Sequence, residues 1–278
     1  YELEFKAGER NIYSNSGFNL LAYIIESVSG KSYMQFMRDR IFIPLGMKNT
    51  GDRDPQFIIP QRAVGYEWNI DKLNGRDGNL TDLMGAGSIV STISDMTKWE
   101  AALRGEKFLK KESKTEIWKQ FTFNNGRLSQ YGLGWRISDI RGHKIIGHTG
   151  QTAGFGAAIF RYVDNVTTVI ALTNLGESGT GSLLASAVAK MYITSLSLRK
   201  IRASEVLPDS AILAKASVAT AQRIENKPNP NLFSTELIRS LSTERAKSAN
   251  KRISSFGPIT RFVFVGEESI EGRKIFRY

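Results

Sequence analysis

Two short groups of side chains in this 278-residue chain could do chemistry. The first is Tyr13-Ser14-Asn15, at the mouth of an apolar, helix-periodic run. A phenol has a reference pKa near 10, so it carries protons near neutrality only where a cation or hydrogen bonds stabilise the phenolate. An asparagine offers both a donor and an acceptor, enough to hold a substrate carbonyl while steadying a neighbouring amine. The same residues also suit a helix start. Ser14, Asn15 or Ser16 could cap the free amides, with Tyr13 as an apolar staple. The second group is His148-Thr149-Gly150, at the end of one strand-like run and ahead of Gly154-Phe155-Gly156. A hydroxyl and a glycine on a strand beside a cleft let a substrate backbone lie along the sheet, because glycine removes the blocking side chain. Taken alone, the triplet reads as a loop histidine followed by a turn.

Other patterns fail on inspection. Gly176 to Ser182 sits between a strand and a helix, but Ser182 stands where a phosphate loop needs lysine. The Gly-x-Gly pairs at 85–87, 154–156 and 179–181 lack the third glycine of a dinucleotide fingerprint. The two histidines, His143 and His148, have no acidic ligand close in sequence, so neither a metal nor a cofactor is expected. The absence of cysteine excludes disulfides, thiolate catalysis and Cys-based zinc. The net charge is +11, from 38 basic and 27 acidic residues. The basic clusters at 107–119 and 245–252 do not interleave aromatics as a nucleic-acid groove would, so a solvated surface is expected and no nucleic-acid partner. No apolar run reaches the roughly 18 residues that span a bilayer.

The elements that must position these groups can be read from periodicity. Leu21, Ile24, Ile25 and Val28 mark a helix with a buried apolar face over 20–25, ended by Gly30. Ser32 caps a second helix, stopped at Pro44-Leu45-Gly46. Residues 51–90 read as a long excursion rich in Gly, Asp and Asn. Ser94 is expected to cap a third helix, with Met96, Trp99 and Leu103 buried, and Ser113 to Glu116 has capping-box spacing. From Tyr131 the period turns to two: YGLGW, KIIGHTG, GFGAAIFRY and VTTVIALTN read as successive strands, before a helix over 179–198. Helices, an antiparallel meander and a covering helix predict an α+β fold, an antiparallel sheet flanked by helices with a mostly helical subdomain. It is expected to fill residues 1–200, with a linker over 201–230 and a short, incomplete α+β unit over 231–278 holding one helix and the strand-like runs TRFVFVG and RKIFRY.

In order, FKAGERNIYSNSGFNLLAYIIESVSGKSY, IFIPLGMKNTGD, MGAGSIVSTISDMTKWEAAL, YGLGW, GHTGQTAGFGAAIF and VIALTN resemble the serine beta-lactamase and penicillin-binding-protein superfamily. The branch most similar is that of class C beta-lactamases, DD-peptidases and related esterases. The resemblance implies acyl transfer by a serine in Ser-x-x-Lys, aided by Tyr-x-Asn and by Lys-Thr-Gly or His-Thr-Gly. By that analogy Tyr13 shuttles the proton, Asn15 binds the substrate amide, and His148, Thr149 and Gly150 form the strand element. The Gln151 backbone amide then supplies one oxyanion donor. The substrate implied is a small molecule, peptide or ester, including peptidoglycan-related ones, in a periplasmic or extracellular setting. Ser-x-x-Lys lies upstream of Tyr-x-Asn in the family, and no such motif precedes Tyr13 here. Ser197 to Lys200 and Ser248 to Lys251 fit as text but fall in the wrong order. The expectation is a truncated serine hydrolase, inactive as this chain alone; a non-catalytic module binding a cell-wall polymer or a protein partner is the alternative. A histidine at 148 in place of lysine attracts a substrate carboxylate less, which points away from an efficient beta-lactamase.

Overall fold

The computed structural model describes residues 3–53, 58–69, 72–177, 179–197, 210–254, 257, 264, 266–270 and 273–277. The chain falls into two units, Tyr1–Leu196 and Ser197–Tyr278.

In the first unit, α1 (Asn15–Ser29) is capped by Ser14, whose Oγ accepts from the Gly17 amide at 3.1 Å. Gly30 ends it at φ 68°, a left-handed turn that glycine enters without strain. The apolar face expected to be buried is not. Ala22 is the buried residue of α1, while Leu20, Tyr23 and Val28 are 60, 60 and 83% exposed. The reason is the docking edge, not the periodicity. Gly85 lies so close to the Phe18 carbonyl and to the Ala22 methyl that a β-carbon there would collide with both. Contact therefore runs along the Phe18–Ala22 edge and turns the wider apolar stripe outward. Asn19 locks this docking, donating to Asp82 O at 2.6 Å and accepting from the Gly85 amide at 3.0 Å.

The next helix, α2 (Tyr33–Met37), is capped by Ser32 and runs into a π-helical turn, Arg38–Phe42. The excursion over 51–90 resolves into strand β1 (Gly51–Asp52), the hairpin of β2 (Tyr66–Asn69) with β3 (Lys72–Gly75), and β4 (Ile89–Val90), which pairs with β1. Thr92, rather than Ser94, caps α3 (Ile93–Arg104), because its Oγ1 takes the Asp95 amide at 3.3 Å. The residues that α3 buries are Asp95, Glu100 and Leu103, with Met96 and Trp99 half-buried. Ser113 and Glu116 lie inside α4 (Lys111–Ile117) and form no capping box at its start.

A four-stranded antiparallel sheet follows in the order β5 (Arg136–Ile140), β6 (His143–Thr152), β7 (Phe155–Tyr162), β8 (Thr167–Thr173). On one face, α5 (Thr180–Tyr192) packs Ala185 and Ala189 against Ile145, Ala158, Tyr162, Val169 and Ala171. The small residues matter here, since a β-carbon at Gly181 would meet the Ala157 backbone at 2.7 Å. On α3, Glu100 accepts from Arg161 of β7 and Thr168 of β8, both at 2.8 Å, and so ties the helical part to the sheet.

The second unit holds α6 (Ser210–Ile224), α7 (Thr235–Leu241), α8 (Glu244–Ser254) and the hairpin of β9 (Gly266–Ile270) with β10 (Arg273–Arg277). The stretch expected as a linker thus carries the fifteen-residue α6, and its first nine residues, 201–209, lie outside the described set. Among the described residues, 231–278 hold two helices instead of one, and most of TRFVFVG lies outside that set. Among those residues, no helix is long and apolar enough to cross a membrane.

Candidate functional site

Tyr13 stands one residue ahead of the α1 cap. Its ring lies 5.5 Å from that of Phe18, the N′-to-N4 relation of a hydrophobic staple. The two readings of this turn are therefore compatible. The cap and the staple fix the phenol, which remains 51% exposed. The segment before it is held from another side, where Asn124 donates to Ala7 O at 2.9 Å and its amide to Gly8 O at 2.8 Å. Asn15, in the first turn of α1, is exposed.

Across from Tyr13 sits His148. Their ring centroids are 5.8 Å apart, so folding brings the Tyr-x-Asn turn and the His-Thr-Gly strand to one crevice. Thr149, Gly150 and Gln151 continue along β6 and are exposed. A β-carbon at Gly150 would make an ordinary 3.8 Å contact with Ala157, so the strand is open there rather than crowded.

The backbone of this stretch has a definite direction. Val163 donates to Lys144 O at 3.0 Å, so Lys144 faces β7. Antiparallel strands alternate, and the odd-numbered residues of β6 therefore turn their amides and carbonyls toward the β5 side. Pairing with β5 ends at Gly147 opposite Arg136, while pairing with β7 runs on to Thr152. Thr149 and Gln151 consequently aim backbone groups out of an open sheet edge. An extended substrate can add there as a short strand, and the Gln151 N–H can meet an oxyanion. The Gln151 side chain is held aside, donating to Gly176 O at 2.6 Å. A cavity of about 1170 Å³ begins at Gly150, Gln151 and Thr152 and reaches Asn49, Thr50 and Ser91; Tyr13 and His148 flank it rather than line it.

One member of the cluster was invisible to motif reading. The Tyr131 hydroxyl hydrogen-bonds with His148 Nε2, with the rings edge-to-face at 5.8 Å, and its ring lies 6.3 Å from that of Tyr13. Burial, reinforced by the nearby Tyr13 phenol and opposed by the Arg136 guanidinium, pushes the Tyr131 hydroxyl up to about 12. YGLGW forms no long strand. Gly132 would collide through a β-carbon with Ile117 O at 2.5 Å, Gly134 adopts φ 77°, and Trp135 packs edge-on against Trp118. Ser129 clamps Tyr131 twice, accepting from its amide at 2.8 Å and donating to its carbonyl at 2.9 Å. Two glycines bracketing one residue beside an aromatic were the available signal of a shaped turn. Of the two misordered Ser-x-x-Lys stretches, residues 198–200 lie outside the described set and Ser248 to Lys251 lie within α8.

Residues 1–190 match the Beta-lactamase family. Penicillin-binding protein 4* of Bacillus subtilis is 33% identical over 189 residues, covering 62% of this chain and 42% of that protein. A D-aminopeptidase of Brucella anthropi is 28% identical over 174 residues, covering 61% and 32%. Among solved structures, the octameric penicillin-binding-protein homologue from Pyrococcus abyssi superposes with a TM-score of 0.59 at 26% identity, covering 68% of this chain and 44% of that one. The match thus spans less than half the length of each of these relatives.

Proposed function

This chain belongs to the beta-lactamase family, and we propose that it supplies the proton-shuttle and strand elements of a serine hydrolase acting on a peptide, amide or ester. The observation that carries the reading is the 5.8 Å approach of the Tyr13 and His148 rings at the open edge of β6. In this reading an acyl substrate lies along residues 149–151 as an added strand. Asn15 holds its amide, and the Gln151 N–H faces the carbonyl oxygen as negative charge develops there. Tyr13 takes the proton from the attacking serine and returns it to the leaving group. The names of the relatives, a penicillin-binding protein and a D-aminopeptidase, support a peptide or amide substrate. The setting is periplasmic or extracellular by the same resemblance.

The nucleophile in this reading is a Ser-x-x-Lys from outside residues 1–278, and these residues alone do not turn over substrate. The test is to read the coding sequence ahead of Tyr1, express the longer polypeptide and expose it to a fluorescent fluorophosphonate and a fluorescent penicillin. Covalent labelling of the longer polypeptide is expected, slowed by Tyr13→Phe and absent from the 278-residue chain. Labelling of the 278-residue chain itself, or an upstream sequence without the serine, overturns the reading. The second result leaves a non-catalytic binding module in its place.

A further inference from the structure

We propose that Tyr131 is a positioning residue that holds His148 as a neutral imidazole protonated on Nδ1, with no ring nitrogen free to act in the crevice; the consequence for catalysis rests on the hydrolase reading, the tautomer does not.

His148 Nδ1 lies 2.8 Å from the Thr149 carbonyl oxygen, and a carbonyl only accepts, so Nδ1 carries the proton. In a neutral ring Nε2 is then the acceptor, and the hydroxyl of Tyr131 is the group that reaches it. The hydroxyl is suited to give rather than lose its proton, since its half-buried site disfavours the phenolate. Its aim is set from below by the paired hydrogen bonds of Ser129 and by the turn through Gly132 and Gly134. Arg136 neighbours Tyr131, and the ring of Tyr13 faces both Tyr131 and His148.

The consequence concerns substrate class. A strand residue with both nitrogens engaged offers Tyr13 and the substrate a ring face, not a cation and not a base. The group of the substrate that lies against His148 is therefore uncharged or cationic, not a carboxylate seeking an ion pair. Of Tyr13 and His148, Tyr13 is the one left to carry a proton.

The tautomer can be read without any turnover. The chain has two histidines, so a His143→Gln variant of the ¹⁵N-labelled 278-residue chain leaves His148 as the single imidazole signal. Long-range ¹H–¹⁵N correlation is expected to show one protonated nitrogen, Nδ1, and one bare, hydrogen-bonded nitrogen, Nε2. Tyr131→Phe is expected to lower the ratio of the Nδ1–H to the Nε2–H form by roughly three- to tenfold, the range that one neutral hydrogen bond carries. It should also speed carbethoxylation of His148 by diethyl pyrocarbonate by a similar factor, with His143 as the internal reference. An Nε2-protonated ring in the parent chain overturns the proposal even if the Phe variant does not fold. Unchanged tautomer and reactivity in a folded Phe variant overturn it equally. Labelling that fails while the tautomer stands removes the hydrolase reading and leaves this one.

Discussion

Removing the carboxylate of Asp95 tests how the helical part is fastened beside the cavity. Asp95 is fully buried, and its two oxygens serve three donors. Oδ2 accepts from the Asn49 amide at 2.6 Å and the Thr50 hydroxyl at 3.0 Å, and Oδ1 accepts from Lys98 Nζ at 2.6 Å. Lys98 also donates to Gly46 O at 2.6 Å, so one side chain joins the first turn of α3 to the 46–50 turn. A hydrogen bond to a buried charged acceptor contributes about 1.5–3 kcal/mol, and the Thr50 bond about 1 kcal/mol. The half-exposed Lys98 pair adds less than about 1 kcal/mol after screening. Asp95→Ala is thus expected to cost about 2.5–5 kcal/mol, a fall in Tm of roughly 5–20 °C for a unit of this size. The pH dependence has a defined sign. Desolvation raises the Asp95 pKa, but Lys98, the Asn49 amide and Thr50 outweigh it, and the net shift is below the ordinary value of 3.8. The contribution is therefore fully present above about pH 4 and is lost as pH falls through the depressed folded value. Urea unfolding of the parent and variant between neutral and acid pH measures both effects. A cost below about 1 kcal/mol, or a gap that widens toward acid, refutes the reasoning.

Ser14→Ala removes the cap of α1 and is expected to cost about 1 kcal/mol in urea unfolding, with Tyr13 loosened from Phe18 as judged by near-ultraviolet circular dichroism. At Gly154, φ is 77° and a β-carbon would strike the Arg76 carbonyl. Gly154→Ala therefore adds a backbone clash to about 1–2 kcal/mol of left-handed strain, and faster amide exchange across the β2–β3 hairpin is the expected readout. Tyr131, with its hydroxyl raised to about 12, is expected to contribute to a late phenolate absorbance step that Tyr131→Phe diminishes by one tyrosine, burial raising Tyr33 and Tyr162 as well. Because the folded value lies above the ordinary 10, the stability tied to this group holds below about pH 10 and falls as pH rises toward 12.

Much of the first unit is legible in its sequence because local signals agree with the packing. Ser14, Gly30 and Ser32 punctuate helices where polar caps and a left-handed glycine were expected, and the two-residue period from residue 143 to 173 gives the meander directly. The signals fail where tertiary contact decides. α1 looks like a buried helix, yet a close approach at Gly85 selects its docking edge and leaves Val28 in solvent. α3 reads as apolar-faced, yet it buries two carboxylates, because Asp95 and Glu100 have partners 45 to 68 residues away in sequence. Within the site, Tyr13 and His148 could be named from local sequence, and their meeting is a matter of chain path. Tyr131 could not, because nothing local in YGLGW says that a hydroxyl will point at a histidine seventeen residues on.

The central claim is that the Tyr13 turn and the His148 edge of β6 face each other across one crevice. The direct measurement is the nuclear Overhauser contact between the ring protons of Tyr13 and His148, read on the His143→Gln chain with Tyr13→Phe as the assignment control. Rings 5.8 Å apart between centroids bring their edge protons within range, so a cross-peak is predicted, alongside one from Tyr131 to His148. A Tyr131 contact without the Tyr13 contact contradicts the account, because the phenol would then stand away from the strand edge along which the proposed function lays the substrate.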